Sequence, residues 1–149
     1  MDYPATNRMT KAQAALEANR CLHCFEAPCQ KACPANVDVA RFIRRIATGD
    51  WKGAARSIRE SNPLGLICGE VCPAGELCMK ECNCGRAGEP IEISALQACA
   101  MRLAVEQGEP VNPEPTDETA KRVAVIGGGP SGVAAAALLR EKGYAVELF

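Results

Sequence analysis

Residues 20–34, RCLHCFEAPCQKACP, place four cysteines at the spacing C-x2-C-x4-C-x3-C and close with a proline. A second stretch, CGEVCPAGELCMKECNC at residues 68–84, carries five more, so two short segments hold nine of the ten cysteines of the chain. Thiols clustered in this way are typical of metal sites, disulfide frameworks or redox sites rather than of ordinary core positions.

The composition is that of a globular protein and excludes several classes of function. Of the 149 residues, 48% are hydrophobic and only 4% aromatic, so the core must consist mainly of Val, Ile, Leu and Ala. The formal net charge of −1 gives no bulk attraction to nucleic acid or to an anionic membrane. The sequence has neither a run of about 20 apolar residues nor an apolar signal sequence. We therefore expect a cytoplasmic protein with no nucleic-acid or membrane partner.

Helical signals flank the first cysteine stretch. Thr10 and Gln13 have the spacing of a capping box, which predicts a helix that runs to about Arg20. Asp38 is placed to cap a second helix, and a third is expected from Asp50 to the Asn62-Pro63 step. The apolar stripe of the second helix consists of Val39, Phe42, Ile43 and Ile46. The segment around the first cysteines is therefore predicted to be helical.

The second cysteine stretch has weaker signals, and the chain changes character after it. Residues 68–84 are expected to form loops and short turns, and residues 93–107 a last helix with Leu96, Cys99 and Leu103 on one stripe. Residues 109–121, EPVNPEPTDETAK, have the composition of a linker.

Beyond the linker, the pattern changes to β-α-β. A buried strand is predicted at 122–126, a helix at 130–142 and a second strand at 144–149. We therefore expect a helical domain at 1–108, a linker at 109–121 and the beginning of a Rossmann-like domain at 122–149.

A glycine-rich turn lies between the predicted strand and helix of this second part. Gly127-x-Gly129-x-x-Gly132 after a strand and before a helix is typical of a dinucleotide site. The first glycine permits the tight turn, the second lets the backbone approach a pyrophosphate, and the third lets helix and strand pack closely. Pro130 suits the first helical position, where its missing N–H costs nothing. With Ser131, these residues form the predicted cofactor-binding turn.

The spacing of the first cysteine stretch fits an iron–sulfur cluster best. In the bacterial ferredoxin run C-x2-C-x2-C-x3-C-P, the first three cysteines bind one cluster and the last binds another. By analogy, Cys21, Cys24 and Cys29 bind one [4Fe–4S] cluster with a remote cysteine, while Cys33 joins the second stretch on another. Zinc is an open alternative, although structural zinc sites favour paired short hairpins. Disulfides are a further alternative, but they would require an oxidising compartment.

Three stretches also resemble a known family. They are RCLHCFEAPCQKACPANVDVARFIRRI at 20–46, WKGAARSIRESNPLGLICGEVCPAGELCMKEC at 51–82 and PIEISALQ at 90–97. They resemble the N-terminal iron–sulfur domain of dihydropyrimidine dehydrogenase and, more loosely, the small subunit of glutamate synthase. The resemblance implies two [4Fe–4S] clusters with these ligands: Cys21, Cys24, Cys29 and Cys82 for the first, and Cys33, Cys72, Cys78 and the side chain of Gln97 for the second.

Five residues near these ligands have separate expectations. Gln97 lies at the edge of an apolar stripe, where a surface or hydrogen-bonding role is usual, so only the resemblance makes it a ligand. Cys99 is expected to pack in the core, Cys68 to lie near the clusters without binding, and Cys84 has no assigned role. His23, the only histidine, is expected to be a solvent-side spacer.

The resemblance also implies a function. In the family, FAD binds the first Rossmann-like unit, NAD(P)H binds a domain farther along, and the clusters pass electrons to a partner reductase or synthase subunit or domain. The acidic residue that binds the ribose would follow Phe149, so we expect this chain alone to bind FAD weakly or not at all and to be an incomplete catalyst. No residue has the pattern of a general acid, base or nucleophile. The alternative is a structural or interaction module that is stabilised by zinc and carries a non-functional nucleotide fold.

Overall fold

The computed structural model of the chain describes residues 8–108, 115, 119 and 121–149. The chain divides into two compact units, Met1–Glu109 and Pro110–Phe149. Most of the predicted linker, 109–121, lies outside the described residues. Within the described residues, the chain is mainly α-helical with one two-stranded parallel sheet, which confirms the predicted fold class. No helix in the described ranges has the length and apolarity needed to cross a membrane.

The first unit is built from six α-helices and two short 3-10 turns. The helices are α1 (Lys11–Ala18), α2 (Pro28–Lys31), α3 (Val39–Ala47), α4 (Trp51–Arg59), α5 (Gly65–Val71) and α6 (Ile93–Glu106). The 3-10 turns are Ala74–Glu76 and Asn83–Arg86. The predicted apolar stripe of α3 is buried, and Phe42 and Ile46 are fully enclosed between helices.

The predicted caps set the helix starts. The Thr10 hydroxyl accepts a hydrogen bond from the Gln13 N–H at 3.3 Å, and the Gln13 Oε1 accepts one from the Thr10 N–H at 2.9 Å. This reciprocal pair confirms the capping box, although α1 ends at Ala18 rather than near Arg20. The Asp38 carboxylate caps α3 in the same manner by accepting from the Arg41 N–H at 3.0 Å.

Replacing Asp50 by alanine should destabilise α4. The Asp50 Oδ1 accepts a hydrogen bond from the Gly53 N–H at 2.9 Å. Losing such a cap lowers the free energy of unfolding by about 1 kcal/mol. Urea unfolding followed by circular dichroism measures this loss. Asp50→Asn is the matched control, because asparagine caps equally well; an equal loss in both variants would contradict the capping role.

The expectation of loops and short turns throughout residues 68–84 is wrong at its beginning, where α5 (Gly65–Val71) forms. Its sequence, GLICGEV, contains two glycines and no strong cap, so local propensity predicts no helix. Packing against α6 accounts for it. A Cβ atom on Gly69 would lie only 2.7 Å from the backbone nitrogen of Ala98, so glycine lets the two helices approach closely.

The second unit is the predicted β-α-β arrangement. It consists of β1 (Arg122–Val125), α7 (Pro130–Glu141) and β2 (Ala145–Leu148). The two strands are parallel, and Arg122 pairs with Ala145 at one end of the ladder. Each element starts or ends within one or two residues of its predicted boundary. Neither strand nor α7 contains a buried residue.

Candidate metal centres

Cysteines from both stretches form a first group around the loop that follows α1. The group consists of Cys21, Cys24, Cys29, Cys82 and Cys84. Burial, and then the nearby thiols of Cys82 and Cys21, raise the pKa of the Cys29 thiol to about 12. Burial also raises the pKa of Cys21, with further contributions from Cys84, Cys82 and Cys24. Thiols that influence one another in this way are close neighbours, so the structure joins the two cysteine stretches here.

A second group lines one cavity of about 140 Å³. Its thiol members are Cys33, Cys68, Cys72 and Cys78, and its amide members are Asn62 and Gln97. Burial, followed by the thiols of Cys33 and Cys72, raises the pKa of the Cys78 thiol to about 11. At neutral pH, the Cys29 and Cys78 thiols of the free protein are therefore protonated, and a metal must displace their protons when it binds.

Helices and turns attach both groups to the core. Cys29 lies within α2, and Cys33 follows the end of the same helix by two residues. Cys72 is the C-terminal cap residue of α5, and Cys82 is the cap residue before the turn Asn83–Arg86. Each group thus draws thiols from both cysteine stretches, and the contact between α5 and α6 brings Cys72 towards the helix that carries Gln97.

The backbone bends sharply in the first cysteine stretch and just after it. His23, Glu26 and Asn36 have φ angles of 48°, 49° and 50°, and they are the non-glycine residues with positive φ in the described part of the chain. Left-handed backbone is uncommon outside glycine and is maintained by the surrounding structure. These bends let a short segment wrap around a centre and present several thiols to it.

Several sulfur atoms accept hydrogen bonds from N–H groups. The Asn83 side-chain amide donates to the Cys24 Sγ at 3.3 Å, and the Ile91 backbone N–H donates to the Cys82 Sγ at 3.5 Å. The Cys84 thiol instead donates to the Arg20 carbonyl oxygen at 3.5 Å. N–H groups directed at sulfur stabilise the thiolate and tune a bound cluster. Sequence reasoning did not find Asn83 or Ile91, because their roles depend on contacts across the fold.

Gln97 is buried rather than on the surface. Its side chain is 8% exposed, and its Nε2 donates to the Gly65 carbonyl oxygen at 2.7 Å. The helix pattern allowed a surface or hydrogen-bonding side chain, and the structure shows the second. Because the amide nitrogen donates its hydrogen bond to Gly65 of α5, the amide oxygen is the atom free to bind a metal in the cavity that Cys33, Cys72 and Cys78 also line.

The remaining cysteines and the histidine take three different positions. Cys99 is 2% exposed in the core on α6, as predicted for a packing residue. Cys68 lines the cavity of the second group, and Cys84 belongs to the first group. The expectation of a solvent-side spacer is wrong for the His23 Nδ1 atom, which exposes less than 1 Å² and has no hydrogen-bond partner among the described residues, although the residue as a whole is only partly buried.

The donor chemistry of the two groups fits an iron–sulfur cluster. Within residues 8–108 and 121–149, no three Cys, His, Asp or Glu side chains converge as ligands of one metal ion. In the second group, the donors instead surround a cavity. Thiolates are the ligands that iron–sulfur clusters prefer, and such clusters take them at separate iron corners. The unpartnered His23 nitrogen beside the first group also fits a site that holds a further acceptor.

The glycine turn of the second unit has two positions that require glycine. Gly127 has a φ of 107°, and a Cβ on Gly132 would clash with the Gly127 carbonyl oxygen. Gly129 caps α7, and Pro130 and Ser131 begin it. The first N–H groups of a helix have no partner within it and favour an anionic ligand.

Comparison with known proteins gives a match to each unit. Residues 3–109 match the family model described as dihydropyrimidine dehydrogenase domain II, 4Fe-4S cluster, and residues 125–149 match an NAD(P)-binding Rossmann-like domain. The chain is 40% identical over 144 residues to the NAD-dependent dihydropyrimidine dehydrogenase subunit PreT of Escherichia coli (strain K12). The PreT subunit of Salmonella typhimurium is also 40% identical over 144 residues. These matches cover 97% of the chain but only 35% of each relative.

Proposed function

The chain belongs to the dihydropyrimidine dehydrogenase domain II family of 4Fe-4S proteins, and on that premise we propose that it is the electron-transfer module of an NAD(P)H-dependent oxidoreductase subunit. The observation that carries the proposal is the arrangement of the donors in two separate groups. Each group combines thiols from both cysteine stretches, and the second surrounds a cavity. We propose domain boundaries at 1–108, 109–121 and 122–149.

The proposal assigns four ligands to each of two [4Fe–4S] clusters. The first set is Cys21, Cys24, Cys29 and Cys82, and the second is Cys33, Cys72, Cys78 and Gln97. Such clusters supply one-electron transfer when bound. The protein positions the ligands, directs N–H groups at their sulfurs and restricts access of water to the half-buried thiols. Gln97 also contributes a neutral amide where a fourth cysteine would contribute a negative charge.

Metal and sulfide analysis tests this function directly. Protein purified without oxygen should be brown, absorb broadly near 400 nm, and contain about eight iron and about eight inorganic sulfide per chain. Colourless protein with one or two tightly bound zinc ions would instead support the structural alternative, a zinc-stapled interaction module. A single cluster, with about four iron, would contradict the assignment of two.

Gln97→Cys should change the electron paramagnetic resonance spectrum of the reduced protein. A thiolate in place of the amide adds one negative charge to the second set, which disfavours reduction. We expect the equilibrium constant for one-electron reduction of that cluster to fall by at least about tenfold, equivalent to about 59 mV.

Cys68→Ser is the matched control, because Cys68 lines the same cavity without being an assigned ligand. It should retain about eight iron per chain and an unchanged spectrum. If Cys68→Ser lost the second cluster while Gln97→Cys kept its spectrum, Cys68 would be the fourth ligand and the assignment of Gln97 would be wrong.

The second unit supplies the proposed link to a nucleotide cofactor. We assign the pyrophosphate of FAD to the turn that contains Gly127, Gly129, Pro130, Ser131 and Gly132, with NAD(P)H bound in a further domain of a longer protein. The geometry of the turn and the NAD(P)-binding family match support a dinucleotide at this position. The relatives are dehydrogenase subunits, which supports a partner subunit as the electron acceptor. Reduction of the clusters by NADH in the longer protein, with about one FAD per chain, is the measurement that checks this link.

A further inference from the structure

We propose that His23 donates a hydrogen bond from its Nδ1 to a sulfur atom of the cluster bound by the first cysteine group, and thereby raises the reduction potential of that cluster. This inference rests on the proposed function, because it requires a cluster at Cys21, Cys24, Cys29 and Cys82. It gives a role to a residue that is not itself a ligand.

The starting observation is the isolation of the imidazole nitrogen. The His23 Nδ1 exposes less than 1 Å² and has no hydrogen-bond partner among the described residues. A buried polar group without a partner destabilises a protein, and native structures therefore pair such groups. A partner that binds with the cofactor removes this cost.

The chain places His23 in the first cysteine group. It lies between two proposed ligands, Cys21 and Cys24. Its φ of 48° is left-handed, an uncommon conformation outside glycine that the surrounding structure maintains. The loop that carries the two flanking thiols therefore also carries the imidazole.

N–H donors are already directed at two sulfurs of this group. Cys24 accepts from the Asn83 side chain and Cys82 from the Ile91 backbone. The His23 nitrogen, one residue before Cys24 in the chain, is a further buried donor without a partner in the same group.

The effect on the potential follows from charge. Reduction adds one negative charge to a cluster, and a hydrogen bond to a sulfur is stronger when that sulfur is more negative. A donor at this position stabilises the reduced state more than the oxidised state. His23 thus makes the first cluster a better electron acceptor than the four thiolates alone would.

Redox titration followed by electron paramagnetic resonance tests the inference on the iron-loaded chain. His23→Leu removes the donor, so the equilibrium constant for one-electron reduction of the first cluster should fall by about tenfold, equivalent to about 59 mV. His23→Asn keeps an N–H donor close to the position of Nδ1 and should restore most of the difference. The second cluster should be unchanged in both variants and serves as the internal control. Identical potentials for the first cluster in the unmodified protein and in His23→Leu would overturn the proposal.

A second measurement needs no variant and covers the case in which His23→Leu fails to load iron. His23 is the only histidine, so protein grown with histidine ¹⁵N-labelled in the imidazole alone carries the label in one ring and not in the backbone. Electron–nuclear double resonance of the reduced first cluster should show a ¹⁵N coupling from that ring, and absence of the coupling would refute the hydrogen bond. Protein that binds no iron at all would contradict the proposed function rather than this role of His23.

Discussion

Replacing Cys29 by alanine should remove the first cluster, so that the iron content falls from about eight to about four atoms per chain. Cys29 lies within α2 and has no second thiol from its own helix to take its place. Its high pKa shows how strongly burial disfavours the free thiolate at this point. Iron and sulfide analysis of protein purified without oxygen, together with the loss of one of two reduced-state spectra, measures the effect.

Cys84→Ala provides the matched control for this experiment. Cys84 belongs to the same group, but its thiol donates to the Arg20 carbonyl oxygen and is not an assigned ligand. The variant should keep about eight iron per chain. Loss of four iron in Cys84→Ala, with full loading in Cys29→Ala, would exchange the roles of the two residues and contradict the assignment of the first set.

Gly69→Ala should destabilise the helical unit even though alanine is the better helix former. The added Cβ would lie 2.7 Å from the Ala98 nitrogen and 2.9 Å from the Ala98 Cα, which are backbone atoms that cannot move aside as a side chain can. Overpacking of this kind lowers the free energy of unfolding by about 1–3 kcal/mol. In a domain of this size, each 1 kcal/mol lowers Tm by about 4–8 °C. Calorimetry of the iron-free protein avoids any contribution from lost metal.

The same substitution at Gly75 is the control, because a Cβ there meets nothing within 4 Å. Gly75→Ala should change the free energy of unfolding by less than about 0.5 kcal/mol. In iron-loaded protein, Gly69→Ala should also weaken the second centre, since it separates Cys68 and Cys72 on α5 from Gln97 on α6. A higher Tm for Gly69→Ala would mean that helix propensity outweighs the contact with Ala98.

The helices with local signals could be predicted from the sequence, and the one without them could not. Thr10, Asp38 and Asp50 each act on backbone N–H groups a few residues away, so their caps are visible in a short window of sequence. The helix α5 has no comparable local signal. It forms because Gly69 meets Ala98, a residue 29 positions farther along the chain, and such a contact leaves no periodic pattern.

The candidate site shows the same division between local and distant information. The spacing of the cysteines alone predicts an iron–sulfur site. The Cys-Pro ending of the first stretch, by analogy with ferredoxins, predicts that Cys33 binds with the second stretch. Both predictions come from patterns within a short segment of sequence. The spacing does not indicate Gln97, whose position at the edge of an apolar stripe is common for polar residues; the family resemblance supplied that ligand. The burial of the His23 Nδ1 and the donation from Asn83 depend on loop conformation and on packing across the fold, which single-sequence patterns do not report.

Helix α2 has only four residues, and this limits the length of the covalent path between the two proposed centres. Cys29 within this helix and Cys33 just beyond it are assigned to different clusters, and four residues of helix rise by about 6 Å. Under the proposed assignment, the two centres are therefore joined by a continuous covalent route of a few peptide units. This route is part of the polypeptide itself, so the proposed electron transfer between them requires neither a moving domain nor a transient encounter.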